Sequence, residues 1–378
     1  MQDKIFDVAI IGGGLAGLAL AIQAKRAGYS TILFEKERYP FHRVCGEYIS
    51  LESWNFLQDL GVPLSDLQLP QIRELLVSAP NGTYVRHSLP LGGFGISRYF
   101  LDNYLFTLAK DEGVMVLEDT KVSDIQFRSQ QFEVSTGNRT FPARITAGTF
   151  GKRSNLDVKW KRPFTQKKDY KLNSYIAVKY HISYPIPEQE IALHNFDQGY
   201  CGISQVEENK QCLCYLTTAG NLSKSNYDIR TMETSILMKN PFLRDIFSTA
   251  RFLCGEPLTI SQVAFDSKSQ VEQHVLLLGD AAGMITPLCG NGMSMALHSS
   301  KLAFTEIHSF LNGKIDRYEM EIEYTRKWEH FFATRMRNGK MIQSMFGNSF
   351  LTNILVTAMK PFPGLMNFLI RQTHGQPF

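Results

Sequence analysis

The N-terminal 35 residues constrain the fold of this chain most. The stretch FDVAIIGGGLAGLALAIQAKRAGYSTILFEK begins with an apolar strand, turns at three consecutive glycines and continues as a helix rich in alanine and leucine. A second short strand follows and ends in Glu35. Strand, glycine turn, helix and strand in this order form the first unit of a doubly wound sheet. The sequence therefore predicts a Rossmann-like α/β domain.

The glycines of this unit have the spacing G-x-G-x-x-G. Gly12 permits the tight turn, Gly14 lets backbone N–H groups approach a pyrophosphate, and Gly17 lets helix and strand pack closely. Glu35, about twenty residues further on, is placed to accept hydrogen bonds from ribose hydroxyls. The acid would repel a 2′-phosphate, so the pattern favours FAD or NAD over NADP, with a purely structural turn as the alternative.

Composition excludes several other classes of protein. A chain of 378 residues with 44% hydrophobic content is typical of one large or two ordinary globular domains. Its net charge of +4 comes from scattered residues and predicts no nucleic-acid partner. The six cysteines form no C-x-x-C pair and no cluster with histidine, which predicts reduced thiols, no bound metal and a cytoplasmic location.

A second informative block lies near the end of the chain. VLLLGDAAGMITPLCGNGMSMAL runs from an apolar strand to the lone Asp280, then through glycines and Pro287 into a helix. The charge and the proline exclude a membrane span here. A lone carboxylate at the mouth of a buried strand favours a ligand with hydroxyl groups, and an ordinary capped helix after a buried strand is the alternative.

In this order, the two blocks resemble FAD-dependent oxidoreductases that include geranylgeranyl reductases, flavin halogenases and aromatic hydroxylases of the p-hydroxybenzoate hydroxylase type. The resemblance implies that Gly279 and Asp280 close the flavin site, with Asp280 on the ribityl hydroxyls. It also implies that the segment from Pro287 lies against the isoalloxazine ring. The N–H groups of Gly292 and Met293, at a helix N-terminus, would then stabilise negative charge on the reduced ring.

Two further segments match the same superfamily. YPFHRVCGEYIS resembles the loop that carries Arg or Lys before Cys-Gly next to the flavin, here with Arg43 and Cys45. GISRYFLDNYLF resembles the helix whose leading arginine, here Arg98, approaches the FAD phosphates, although a surface arginine is the alternative.

Catalytic candidates follow from the first of these segments. Reducing a carbon–carbon double bond requires a hydride from the flavin and a proton from another group. Cys45, Glu47 and Tyr48 are the candidates for that role. The alternative for Cys45 is that its side chain is simply small enough to fit against the flavin ring.

The substrate region departs from each branch of the superfamily. Hydroxylases carry an Asp-Gly pair where AGTFGKRS has Phe150, which weakens the hydroxylase interpretation. Geranylgeranyl reductases carry Tyr-x-Trp-x-Phe-Pro where GYCGISQV retains only Tyr200, and the Trp-x-Trp-x-Ile-Pro element of halogenases is absent. Tyr200 and Pro287 are predicted to line the substrate pocket, whose ligand the resemblance leaves open.

The order of these segments predicts an α/β fold, α+β overall, with three regions. The regions are a discontinuous FAD-binding domain (1–70, 97–155 and 270–315), an inserted antiparallel β-sheet domain that binds the substrate (71–96 and 156–269), and a helical C-terminal region (316–378). Asn81-Gly82 marks a hairpin turn in the sheet.

The C-terminal region is rich in Phe, Leu, Ile and Met, with Lys and Arg at intervals. It is predicted to form a helical layer packed on the sheet, a cap over a lipophilic pocket, or a peripheral membrane anchor. Pro361 and Pro363 exclude one continuous spanning helix.

The function predicted is that of an FAD-dependent oxidoreductase for a lipophilic small molecule, isoprenoid or polyketide-like. It would reduce or dehydrogenate a C=C bond through flavin N5, with NAD(P)H as a candidate electron donor. The first alternative is a flavin monooxygenase that hydroxylates an aromatic or polyketide substrate through a C4a-hydroperoxide. The second is a flavin-binding protein without turnover.

Overall fold

The structure is a computed structural model that describes residues 5–137, 139–166, 175–263, 265–346, 348–361 and 363–378. The strands along these residues are β1 (Phe6–Ile11), β2 (Thr31–Phe34), β3 (Tyr48–Ser50), β4 (Gln71–Ser78), β5 (Tyr84–Gly95), β6 (Met115–Leu117), β7 (Asp124–Arg128), β8 (Gln131–Thr136), β9 (Arg139–Gly148), β10 (Tyr175–Ser183), β11 (Glu190–Phe196), β12 (Gly199–Gln205), β13 (Gln211–Thr218), β14 (Arg251–Phe252), β15 (Leu258–Val263), β16 (Val271–Glu272) and β17 (Val275–Leu277). The α-helices are α1 (Leu15–Arg26), α2 (Trp54–Asp59), α3 (Arg98–Asp111), α4 (Asn155–Lys159), α5 (Ala219–Lys224), α6 (Ile229–Ser235), α7 (Pro241–Thr249), α8 (Gly292–Leu311), α9 (Arg317–Phe346), α10 (Ser349–Met359) and α11 (Pro363–Thr373).

The first sheet has the order β16-β17-β9-β1-β2-β6, and β7 and β8 extend it beside β9. β1 lies between β2 and β9 and pairs with both in parallel, while β17 pairs in parallel with β9. The apolar residues of β1 and β17 are buried because helices cover the sheet, and α1 packs against both α3 and α8. The predicted Rossmann-like α/β domain is confirmed.

The second sheet has nine strands, in the order β14-β10-β13-β12-β11-β4-β5-β3, with β15 beside β10. Its pairs are antiparallel except β4 with β11, which pair in parallel. The sequence did not indicate this parallel pair, which joins two segments that are far apart along the chain. The Asn81-Gly82 turn joins β4 and β5 as predicted, with φ +85° at Gly82.

Alternation along β10 gives the second sheet two different faces. Val178, Tyr180 and Ile182 belong to a core cluster with Met232, Leu243 and other apolar residues of helices α5 to α7 and the turns between them. These helices were not predicted from the sequence. Ala177, Lys179 and His181 alternate with the core residues and therefore point to the opposite face, toward the first sheet.

The C-terminal helices form a layer against both sheets. α9 packs against α8 and buries Tyr324, Trp328 and Phe332 in the first core. α10 and α11 bury Val356 and Met366, among others, against the second sheet. α10 ends at Met359, before Pro361, and α11 begins at Pro363, so these prolines separate two helices as predicted. None of the helices described is long and apolar enough to cross a membrane.

A buried ion pair ties the connection after α4 to the segment around residue 280. The Arg162 guanidinium donates to Asp157 at 2.7 Å and to the Ala281 carbonyl at 3.0 Å, and both side chains of the ion pair are fully buried. A buried charge that loses its partner is costly, because it keeps the desolvation penalty without the compensating attraction.

We expect Arg162→Met to lower the free energy of unfolding by about 3–5 kcal/mol. Urea unfolding of the FAD-free protein measures it, since bound ligand would add its own stabilisation. Arg38→Met is the matched control, because Arg38 is 77% exposed in its pair with Asp119 and such pairs contribute about 0–1 kcal/mol. Equal losses in the two variants would contradict the expectation.

Candidate active site

A cavity of about 1080 Å³ lies between the two sheets. The first sheet and its loops contribute the glycine turn, Glu35, Phe150 and the segment around residue 280. The second sheet contributes apolar side chains, among them Ala177, Ile203 and Leu216. The cavity therefore has a polar side formed by the predicted cofactor residues and an apolar side formed by the inserted sheet.

The glycine turn has the close packing that its spacing predicts. Gly12 has φ +112°, and a Cβ there would lie 2.6 Å from the Thr149 carbonyl oxygen. A Cβ on Gly17 would overlap the Gly12 carbonyl oxygen. At Gly14 the nearest atom to a Cβ is a guanidinium nitrogen of Arg98, at 3.6 Å, so this glycine faces open space in the cavity. The space lies at the N-terminus of α1, where a phosphate is stabilised.

Glu35 follows β2 and is buried at the edge of the cavity. Its carboxylate accepts from the Gly13 N–H at 2.8 Å and pairs with Arg43 at 3.1 Å. Arg43 also pairs with Asp102 at 3.0 Å, and Arg98 pairs with the same carboxylate at 2.6 Å. Arg43 thus bridges Glu35 and Asp102, and Asp102 links Arg43 to Arg98 on α3.

Asp280 lies at the cavity, separated from the end of β17 by Leu278 and Gly279. Burial raises the pKa of its carboxyl, and the charges of Lys268, Lys152 and Arg98 oppose that rise. Among the residues that the structure describes, none donates a hydrogen bond to the carboxylate. Burial lowers the pKa of Lys152 to about 8 and that of Lys268 to about 8.

The helix after Asp280 begins at Gly292, where the sequence predicts a helix start, and this end lies at the cavity. α8 starts at Gly292, and Gly279, Pro287, Gly292 and Met293 all line the cavity. The first N–H groups of a helix have no partner within it and carry partial positive charge. An anionic or electron-rich group in the cavity would be stabilised by this helix start.

These residues fit FAD. The open space at Gly14 and the start of α1 would take the pyrophosphate, Glu35 would take the ribose hydroxyls, and Asp280, which lacks a described donor, would take the ribityl hydroxyls. The three sites line one cavity, although Asp280 lies more than 240 positions after Gly14 and Glu35 along the chain.

The loop from Arg43 to Glu47 forms part of the cavity wall. Burial raises the pKa of the Cys45 thiol, so the thiol stays neutral, and its sulfur accepts from the Glu47 N–H at 3.5 Å. Tyr48 is buried on β3, and burial followed by the charge of Glu52 raises the pKa of its hydroxyl. Its oxygen has no hydrogen-bond partner among the described residues.

Glu47 connects this loop to the second sheet. Its carboxylate is fully buried and pairs with the ammonium group of Lys179, and it lies 2.6 Å from Nε2 of His181. It also accepts from the backbone N–H of Arg98 at 2.8 Å, at the start of α3. The Lys179 ammonium donates to the Arg43 carbonyl oxygen at 3.2 Å as well.

The charges in this cluster hold Glu47 ionised. Burial alone would raise the pKa of Glu47, but the hydrogen bond with His181 and the charge of Lys179 outweigh burial and lower it. The pKa of Lys179 is raised, because its carboxylate and thiol neighbours outweigh burial. Glu47, His181 and Cys212 have ligand atoms within 4.8 Å of one another, but Lys179 already supplies the positive charge there.

Sequence reasoning missed Lys179 and His181. The available signal was a lysine and a histidine two residues apart in the otherwise strand-like YIAVKYHIS, which places both on one face. Cys212 and Cys214 lie two positions apart on β13, and both are on the side of the sheet near Cys45. Cys45, Cys201, Cys212, Cys214 and Cys254 are free thiols.

The glycine turn generates a prediction that separates cofactor binding from folding. Gly14→Val should fold but lose FAD, because its side chain enters the space reserved for the ligand. Gly17→Val should lose stability even without FAD, because its side chain overlaps backbone. Flavin absorbance of the purified variants and thermal melting of their FAD-free forms measure the two effects. Full flavin occupancy in Gly14→Val would contradict this assignment of the phosphate site.

The Glu47 cluster generates a second prediction. Lys179→Met should lower the free energy of unfolding by about 3–5 kcal/mol, because it leaves a buried carboxylate without its main countercharge. Adding Glu47→Gln should recover part of that loss, which a double-mutant cycle measures.

The depressed pKa of Glu47 also predicts the pH dependence of this contribution. The stability that the Glu47–Lys179 ion pair contributes should be fully present above the unfolded-state pKa of about 4.3. It should disappear as pH falls through the lower pKa of Glu47 in the folded state. Additive losses in the cycle, or a contribution independent of acid pH, would contradict the ion pair.

Known proteins resemble this chain over most of its length. Conditioned medium factor receptor 1 of Dictyostelium discoideum is 24% identical over 354 residues, which cover 86% of this chain and 68% of the receptor. The digeranylgeranylglycerophospholipid reductase of Methanococcus vannielii is 21% identical over 351 residues, which cover 86% of this chain and 83% of the reductase.

A solved structure shares the fold. The flavin-dependent brominase Bmp2 superposes with a TM-score of 0.79 at 17% identity, over 98% of this chain and 93% of the brominase. At this identity the likeness shows the fold alone.

A family model assigns the chain. The model described as FAD binding domain matches residues 6–331, a span that contains every residue of the candidate cofactor site. The chain therefore belongs to the FAD binding domain family and is an FAD-dependent oxidoreductase.

Proposed function

We propose that this oxidoreductase reduces a carbon–carbon double bond of a lipophilic small molecule with an isoprenoid-like chain. The observation that carries the proposal is the apolar wall that faces the cofactor residues across one cavity. Ala177, Ile191, Leu193, Ile203 and Leu216 are among the side chains in this wall. A chain of apolar carbon atoms is the class of ligand that such a wall stabilises.

The wall continues past the residues that the sequence singled out. Tyr200 and Pro287 line the same cavity, and Gly202 and Ser204 stand where other reductases of the superfamily carry aromatic rings. Small residues at these positions widen the pocket on the side of the second sheet. The name of the Methanococcus vannielii relative, a digeranylgeranylglycerophospholipid reductase, supports a ligand of this kind.

Reduced FAD supplies a hydride for such a reaction when it is bound. The protein must then provide a proton to the second carbon and keep water away. Glu47 does not suit the role of donor, because its lowered pKa keeps it ionised. Tyr48 keeps its proton, lines the cavity and has a hydroxyl without a described partner. We assign proton donation to the Tyr48 hydroxyl.

The electron donor proposed for the flavin is NAD(P)H. The sequence has one dinucleotide fingerprint, at Gly12 to Gly17, and FAD takes that site. NAD(P)H would therefore bind transiently, reduce the flavin and leave before the lipophilic substrate reacts.

Anaerobic reoxidation of the reduced holoprotein tests this function. We expect a geranylgeranyl glycerophospholipid to restore the oxidised flavin spectrum without oxygen, and its fully saturated counterpart to leave the flavin reduced. Tyr48→Phe should slow the reoxidation about 10²–10⁴-fold at unchanged FAD content, because it removes the proton and keeps the ring.

The other outcomes of this experiment contradict the proposal in different ways. Reoxidation only after oxygen is admitted, with a hydroxylated product, would make the protein a monooxygenase. A flavin that stays reduced with the unsaturated lipid, and that forms no hydroxylated product with oxygen, would identify a flavin-binding protein without turnover. Reoxidation at the same rate in Tyr48→Phe would move the proton donor elsewhere, with Cys45 the next candidate.

A further inference from the structure

The outer face of α10 exposes large apolar side chains. Its inner face buries Thr352, Val356 and Met359 against the second sheet. On the outer face, Phe350 is 71% exposed, and Leu351 and Ile354 are each 52% exposed. Phe350 and Ile354 are four positions apart and therefore share one side of the helix. Amphipathic helices of globular proteins usually carry polar residues on the outer side, so this face is unusual.

The helices that pack against α10 expose apolar side chains as well. α10 packs against both α9 and α11. Met341 near the end of α9 and Phe368 on α11 are also largely exposed. Lys360 and Arg371 are exposed too, and they lie close to these residues in the sequence. We call this set the apolar–basic surface, and it consists of Met341, Phe350, Leu351, Ile354, Lys360, Phe368 and Arg371.

The charged residues that follow Glu329 are all basic. No aspartate or glutamate follows Glu329, whereas five basic residues do: Arg335, Arg337, Lys340, Lys360 and Arg371. Arg335 is paired with Glu52. The net charge of the whole chain is +4, so the residues up to Glu329 are close to neutral and the positive charge is concentrated in this region.

We propose that the apolar–basic surface docks on an anionic phospholipid bilayer. Anionic lipids attract basic residues near the membrane surface, and apolar side chains bury in the boundary between head groups and acyl chains. α10 has eleven residues and is about 16 Å long, too short to span a hydrocarbon core of about 30 Å. The helix therefore lies in the plane of the interface.

Docking in this orientation brings the cavity close to the lipid phase. The inner faces of α10 and α11 belong to the same cluster as Tyr48, Ile191 and Leu193, and these three residues also line the cavity. One helical layer thus separates the apolar–basic surface from the cavity wall. This arrangement rests on the proposed function, because only a lipophilic substrate would gain from an entry on the membrane side.

Vesicle sedimentation with the FAD-loaded protein tests the docking. The vesicles contain phosphatidylcholine alone or phosphatidylcholine with phosphatidylglycerol, and no substrate. We expect stronger binding to the anionic vesicles, weakened by salt because exposed charges are screened. Phe350→Ser with Ile354→Ser should lower the partition coefficient at least about tenfold. Lys360→Glu with Arg371→Glu should abolish the preference for anionic vesicles.

The control is a pair with the same spacing elsewhere on the protein. Tyr318 and Ile322 lie four positions apart near the start of α9 and are 71% and 43% exposed. Tyr318→Ser with Ile322→Ser should bind vesicles like the unchanged protein. Flavin absorbance and the thermal midpoint establish that all variants are folded.

Three results would overturn the proposal. The first is an absence of binding to anionic vesicles. The second is an equal loss of vesicle binding in the control variant, which would show that replacing any exposed apolar pair with serine weakens binding. The third is concentration-dependent dimerisation by light scattering, removed by the Phe350 and Ile354 changes, without vesicle binding; it would assign the surface to a second copy of the chain. These readouts do not depend on turnover, so failure of the proposed reaction leaves them informative.

Discussion

The carboxylate of Glu47 joins the parts of the protein that surround the cavity. It belongs to the loop that follows the first βαβ unit, it accepts from the start of α3, and it pairs with Lys179 and His181 of the inserted sheet. A buried carboxylate is tolerated only with partners, since an uncompensated charge in the interior is costly. The two sheets and the loop therefore keep their relative positions for an electrostatic reason as well as through packing.

This arrangement gives the cavity its two-sided character. The first sheet presents backbone N–H groups and carboxylates, which suit a cofactor with phosphates and hydroxyls. The second sheet presents apolar side chains on β11, β12 and β13, whereas Lys179 and His181 of β10 contact Glu47. Under the proposed function, the cofactor and a lipophilic substrate would occupy opposite sides of this one cavity.

The helices α10 and α11 connect the cavity wall to the outer surface of the molecule. Apolar residues on the inner faces of α10 and α11 stabilise the cavity wall, while the outer faces expose apolar and basic side chains. Packing on the sheet explains the inner faces but not the outer ones. The proposed docking on a membrane surface would account for both the apolar exposure and the absence of acidic residues in this part of the chain.

The sequence by itself determined the local arrangement of the candidate cofactor residues. Gly12, Gly14, Gly17 and Glu35 act through local backbone geometry within one βαβ unit, so their spacing carries the information. Asp280 and Gly292 could be recognised for the same reason, since a strand end and a helix start are adjacent in the chain. The tertiary structure alone decided that Lys179 and His181 meet Glu47. That contact joins residues about 130 positions apart, and its formation depends on which face of β10 turns inward, a matter of sheet register and packing rather than of any local pattern.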